Sequence, residues 1–214
     1  MQTTRRLFLS SGMALGLAGC TGLSALTNVA KPVNLYDLTP KSTYSPDLPA
    51  VKSQLVIEVP NAAAAVNTDR IAVRPTPYEV QYFPGVRWVD RAPVLVQTML
   101  LQSFENTGKI VSVGRQAIGL NSDYALLTDL REFQAELSEG KNGPLSVLVH
   151  INVKIVREPD GVIIASKSFE HREETASDKI DVVVAAFDKS LGKVMGHAVD
   201  WSMRILGKDQ KRIL

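Results

Sequence analysis

The sequence predicts an α/β fold: a compact sandwich of a mixed β-sheet with two main helices, the longer at the C-terminus. Three observations carry this. Short β-branched runs in the first half end at prolines. Two long runs, 124–137 and 145–157, alternate apolar and polar residues. A final stretch from Ile180 to Ile205 repeats its apolar residues at helical spacing. Two helices cannot clothe both faces of a large parallel sheet, so a mixed sheet with a meander of long strands fits better.

Taken in order, Gln54-Leu55-Val56-Ile57-Glu58-Val59 is short, β-branched and closed by Pro60, as a strand should be. Arg70 to Arg74 alternates and stops at Pro75. Tyr78 to Phe83 alternates again, and Pro84-Gly85 is expected to turn the chain. Asp90 is placed to cap a helix with Pro93 in its first turn; Leu95, Met99 and Phe104 share a face and Gly108 stops it. Lys109 to Val113 gives another strand.

From Tyr124 the apolar residues run Leu126, Leu130 and then, out of phase, Phe133, Ala135 and Leu137. A bend or bulge explains the change. Gly140 to Pro144 turns the chain, and Leu145, Val147, Val149, Ile151, Val153 and Ile155 alternate without a break. Glu158-Pro159-Asp160-Gly161 is a hairpin turn by composition, and Val162 to His171 returns. Thr175-Ala-Ser-Asp178 resembles a capping box. The last helix then places Phe187, Leu191, Met195 and Trp201 on one face, Gly192 and Gly196 permit close packing, and Gly207 ends it.

The N-terminus has a different logic. Met1 to Arg6 is basic, Leu7 to Ala18 is apolar but short for a membrane span, and Leu17-Ala18-Gly19-Cys20 is a lipobox around the sole cysteine. Residues 1–19 read as a signal peptide. Cys20 reads as the acceptor of a diacylglycerol group with palmitate-type chains, and more than one chain is what stable anchoring needs. Arg5 and Arg6 form the export signal, by the twin-arginine or the general route. Thr21, not aspartate, follows the cysteine, which by resemblance to lipoprotein sorting in Gram-negative bacteria implies the periplasmic face of the outer membrane. Residues 20–50 are expected to form the lipidated cysteine and a flexible tether, with Asn34 to Leu38 as a short extended piece. The tether proper, of about 15 residues, would reach about 50 Å. Residues 51–207 form one domain and 208–214 a basic, frayed tail.

Charge and chemistry exclude several classes. Twenty-four basic residues stand against 22 acidic ones. Removal of Arg5 and Arg6 with the signal balances them, so no nucleic-acid partner is inferred. One cysteine allows no disulfide framework. There is no Gly-x-Ser-x-Gly elbow and no P-loop. His150, His171 and His197 lack metal-ligand spacing. His150 is expected to be solvated, 171–174 to be a solvated charge run, and Asp181, Asp188 and Asp200 to line a solvated helix face. No catalytic residue, metal or cofactor is expected beyond the lipid on Cys20. One patch stands apart: Tyr78, Tyr82, Phe83 and Trp88 crowd a stretch broken by Pro75, Pro77 and Pro84, which suits either core or a surface that meets a partner or lipid.

The lipobox, Tyr36-Asp37-Leu38, the strand to Pro60, Arg70-Ile71-Ala72-Val73-Arg74, the aromatic ribbon, Arg87-Trp88-Val89-Asp90 and the long strand pair before the final helix together resemble the ABC-type transport auxiliary lipoprotein family. Their order, more than any one motif, carries the resemblance; Tyr78 and Tyr82 match the family's ribbon tyrosine loosely, and Ala62 to Ala65 departs from the pattern. The resemblance implies a non-catalytic periplasmic subunit. Its partners would be an ABC transporter and a mammalian-cell-entry-type lipid-binding protein, which together move phospholipid or other hydrophobic compounds. The ATPase would be a separate chain, and homo-oligomers stay open. An envelope structural or assembly lipoprotein without a transport role is the alternative.

Overall fold

The computed structural model describes residues 32–115, 122–141 and 145–213, with no account of the side chains of 138–141, 212 and 213. Cys20, Arg5 and Arg6 lie outside these residues. Nine strands and two helices follow in the order β1 (Asn34–Tyr36), β2 (Val51–Ile57), β3 (Asn61–Ala62), β4 (Arg70–Thr76), β5 (Glu79–Trp88), α1 (Ala92–Glu105), β6 (Ile110–Gly114), β7 (Tyr124–Lys141), β8 (Leu145–Arg157), β9 (Val162–Glu174) and α2 (Ile180–Ile213).

All nine strands belong to one mixed sheet. β7, β8 and β9 form the expected antiparallel meander. The other edge of β7 is shared along its length: β2 pairs with its start, β3 with its middle and β4 near its end, each in parallel. β6 extends the β2 branch, and β5 and β1 extend the β4 branch. The phase change read in β7 is a register shift between Leu130 and Glu132. It returns Phe133 and Ala135 to the face that Leu126 and Leu130 occupy before it, and all four are buried.

Both helices lie on that face. Apolar residues at alternate positions of β8, from Leu145 to Ile155, are buried under α2. α1 packs on β2 and β6, and its Gln97 donates to the Ile57 carbonyl at 2.7 Å. The helices meet where the Ser103 hydroxyl lies 3.6 Å from the Met195 sulfur. A triad of rings joins the layers: Trp88, Phe133 and Phe187, with centroids 5.1–5.6 Å apart. The opposite face is polar and cross-linked. Arg74 pairs with Glu132 at 3.2 Å, the buried Gln134 donates to Glu132 and Glu136, and Arg172 reaches Glu136 at 2.7 Å.

Several boundaries differ from the sequence reading. Residues 37–50 are not tether but a strap laid across both helices. Leu38 and Leu48 enter the core, and Lys41 N donates to Ser103 Oγ at 2.9 Å. The Lys109 ammonium donates to the Leu48 carbonyl at 2.8 Å. Isolated leucines and hydrogen bonds to distant side chains leave no periodicity to read. α2 runs through Gly207 to Ile213. Gly207 faces Pro49 of the strap: a Cβ there would sit 2.9 Å from the proline ring. Residues 208–211 are held rather than frayed, because Asp209 receives the Tyr124 hydroxyl at 2.9 Å and Gln210 donates to the Ala50 carbonyl at 3.0 Å.

The capping signals are used differently too. Thr175 donates its hydroxyl to the Leu145 carbonyl, closing the sheet instead of capping α2. Arg91, not Asp90, is the N-cap position of α1, and it caps with no side-chain hydrogen bond. Pro84-Gly85 does not turn the chain. It forms a bulge inside β5, between the pairs Ala72–Tyr82 and Arg70–Arg87, with Gly85 at a φ of +73° that favours glycine.

Candidate partner-contact surface

β4 and β5 form a hairpin whose two-residue tip is Pro77-Tyr78, closed by the pair Thr76–Glu79. Tyr78 is 98% exposed there, and Val80 beside it is also exposed. A tyrosine fully in solvent at a hairpin tip packs against nothing among the described residues, and it is the type of side chain that anchors interfaces.

The other ribbon aromatics do structural work in varying degree. The Tyr82 ring lies 3.6 Å beneath the Arg70 guanidinium, and its hydroxyl donates to the Ala65 carbonyl at 3.1 Å. Phe83 is half-buried against the core. Trp88 is only 1% exposed and sits in the ring triad, so it is core and not a contact residue. The reason is the bulge: three extra residues pass on β5 between the two register pairs, and the strand resumes with Trp88 beneath Phe187. The contact candidates thus reduce to Tyr78, with Tyr82 and Phe83 as its support.

A second surface runs along α2. Between the strap and the helix lies a cavity of about 550 Å³, lined by residues from both, Lys41, Asp188, Gly192 and His197 among them. Next to it a cavity of about 440 Å³ is lined by Lys167, Phe169, Trp201 and Arg204. Trp201 is half-buried, edge-on to Phe169 at 5.6 Å. Sequence reasoning missed what the acids of α2 do. Asp188 accepts from the Thr39 backbone and hydroxyl at 2.7 and 2.8 Å, Asp181 accepts from the Tyr36 hydroxyl at 2.7 Å, and Asp200 pairs with Arg204 at 2.9 Å. The recurrence of acids along one face was the available signal; their partners were too far away in sequence to be seen.

The histidines and charge run are likewise engaged. His150 is mostly buried on the polar sheet face, 3.5 Å from Glu170, rather than freely solvated. His171 lies 3.2 Å from Glu173, which also pairs with Lys189, and these contacts hold the Glu173 carboxyl below its ordinary range, Lys189 most of all. Residues 171–174 therefore form the end of β9, with His171, Arg172 and Glu173 in side-chain contacts, not a free turn. Among the described residues no group of three His, Cys, Asp or Glu side chains could hold a metal ion. No described helix is long and apolar enough to cross a membrane.

Fold and surface define an α/β domain that presents an aromatic hairpin tip and a strapped helix groove. By its sequence the chain belongs to the family of ABC-type transport auxiliary lipoprotein components, whose model matches residues 36–197. Protein XCC0632 of Xanthomonas campestris, known from a crystal structure, is 30% identical with a TM-score of 0.78, covering 84% of this chain and 99% of that one. A second crystal structure, of an uncharacterized protein, shares the fold at a TM-score of 0.56 and 13% identity over 83% of this chain and 98% of that one. The uncharacterized protein bll6063 of Bradyrhizobium diazoefficiens is 28% identical over 184 residues, 85% of this chain. The chain spans about half the length of that curated relative, 48%.

Proposed function

We propose that this protein is a non-catalytic subunit of an ABC-type lipid transport system, anchored through acylated Cys20 to the periplasmic face of the outer membrane. The observation that carries the reading is family membership over residues 36–197, beginning shortly after the lipobox. The domain is a docking module: Tyr78 at the hairpin tip inserts into the mammalian-cell-entry-type lipid-binding subunit, and the ATP-hydrolysing chain is separate. Phospholipid, or another hydrophobic compound, is the cargo. Because the strap is packed, the tether shrinks to residues 21–32, which at about 3.4 Å each reach at most about 40 Å. Docking thus takes place close to the membrane.

Two measurements test this. Mass spectrometry of the native protein should show a chain starting at a diacylated Cys20, and Cys20→Ser should leave the membrane fraction. The lipidated chain used as bait should co-purify with an ABC permease, its ATPase and a lipid-binding subunit. Tyr78→Ala should lose them at an unchanged melting temperature. Co-purification of none of these, with acylation intact, would leave the envelope structural role and sink the transport role.

A further inference from the structure

The polar face of the sheet is not uniform. Along β4, β7, β8 and β9 it is tied by the ion pairs Arg74–Glu132 and Arg172–Glu136 and by the contact of His150 with Glu170. At the corner made by β1 and the end of β5 aliphatic residues stand beside a single pair, Arg87–Asp69. Val33 is 45% exposed, Leu35 62% and Val89 49%. β1 runs parallel to β5 with Leu35 opposite Arg87 and Tyr36 opposite Trp88, and Val89 N donates to the Tyr36 carbonyl at 2.9 Å. Side chains alternate along a strand, so Leu35, Arg87 and Val89 share the face opposite to buried Trp88, and Val33 falls in with Leu35.

Guanidinium groups adjoin this aliphatic cluster. Arg70 is in register with Arg87 on the neighbouring strand. Its guanidinium rests on the Tyr82 ring and pairs with no carboxylate among the described residues. Arg87 is bound to Asp69 at 2.8 Å, and Arg91 donates to Asn67 at 3.1 Å. The acids of the corner are Asp37, exposed just past β1 and accepting the Leu38 backbone N–H at 2.9 Å, Asp69, bound to Arg87, and Asp90, which accepts the Arg91 backbone N–H at 2.7 Å. Aliphatic side chains fringed by arginine match the depth profile of a bilayer surface, apolar just beneath phosphate.

The chain that precedes the domain starts at this corner. Val33, the first residue of the compact unit, is itself part of the cluster. The 12 residues between Cys20 and Val33 can span at most about 40 Å, so an anchored domain meets the bilayer at high effective concentration, this corner first. A second aliphatic pair, Leu127 and Ile163, lies on the same face near the far end of the meander, but no tether leaves from it.

We infer that the Val33–Leu35–Val89 corner, with Arg70 and Arg87, is the surface this domain lays against the phospholipid headgroups of the membrane that anchors it. The inference rests on the proposed acylation of Cys20. It fixes an orientation: the β1 corner is down, while the hairpin tip, on the opposite end of β5, is left for a protein partner.

The test uses the full acylated protein in vesicles of phosphatidylethanolamine and phosphatidylglycerol at a ratio of about 3:1, some carrying brominated acyl chains. Environment-sensitive fluorophores are attached through Leu35→Cys, Val89→Cys or, as control, Ile163→Cys. Quenching at least threefold greater at 35 and 89 than at 163 is the expected result. Either labelled position suffices if the other variant folds poorly. Acylated, vesicle-bound protein with equal quenching at all sites, or more at 163, overturns the orientation alone. A label at 35 that is shielded without lipid quenching, with a cross-linked dimer, shows that the corner meets a second copy and also overturns it. Protein that carries no acyl group and stays off the vesicles overturns the acylation reading and the orientation together, and mass spectrometry tells that case apart.

Discussion

Alanine at Gly207 and alanine at Gly192 should affect stability differently, although both glycines sit inside α2. Glycine in a helix interior costs about 1 kcal/mol relative to alanine. A Cβ on Gly192 meets nothing within 4 Å, so Gly192→Ala should gain about that amount. In a domain of this size 1 kcal/mol raises Tm by about 2–4 °C. A Cβ on Gly207 would lie 2.9 Å from Cβ and Cγ of Pro49, closer than packed carbons come, and the obstacle is a rigid ring. Overpacking costs about 1–3 kcal/mol, so after the helix gain Gly207→Ala should range from neutral to about 2 kcal/mol less stable. The two variants should therefore differ by about 1–3 kcal/mol. Urea unfolding with a constant m-value, beside thermal melts, reads the difference. Pro49→Gly combined with Gly207→Ala should recover stability that neither change shows alone, a coupling that only contacting residues display. If Gly207→Ala stabilises as much as Gly192→Ala, and the double variant is additive, the strap does not lie on the helix and residues 37–50 are tether after all.

Phe187→Ala removes a fully buried ring from the triad and should cost about 3–5 kcal/mol by chemical denaturation; Trp201→Ala, at the half-buried groove, should cost clearly less, and equal losses would contradict the burial pattern. Burial pushes the Tyr44 hydroxyl up to about 12, and burial followed by the Asp209 hydrogen bond does the same for Tyr124, from an ordinary value of 10.0. Their folded values are raised, so stability is fully present below pH 10 and should fall as pH climbs from 10 towards 12. The Tyr44 hydroxyl is buried with no hydrogen-bond partner among the described residues, so Tyr44→Phe should shallow this alkaline loss at little cost near pH 7, as pH-dependent melts would register. Replacing His150, His171 or His197 singly by alanine should leave partner capture intact in folded protein; loss of a measurable hydrolytic activity on any one of them would contradict the non-catalytic reading.

Much of the sheet was legible because its signals are local. Alternation along 145–155 needs only a strand with one buried face, and the phase slip in β7 announced its bulge. The candidate surface was legible only as a cluster: Tyr78 reads with Tyr82, Phe83 and Trp88 as one proline-broken ribbon, nothing local marks Pro77-Tyr78 as the hairpin tip, and Trp88 could not be told from a surface aromatic. Its burial depends on the bulge at Pro84-Gly85, and the same dipeptide reads equally well as a turn.

By itself the sequence determined the secondary-structure periods and the family, since each is written in neighbouring residues or in their order. Tertiary structure decided which acids of α2 clamp the strap, why Gly207 must be small and that residues 37–50 pack on the helices. All of these turn on pairs such as Thr39 with Asp188 or Pro49 with Gly207. Such pairs meet only after the chain has closed loops of well over a hundred residues, and no local pattern encodes a partner at that distance.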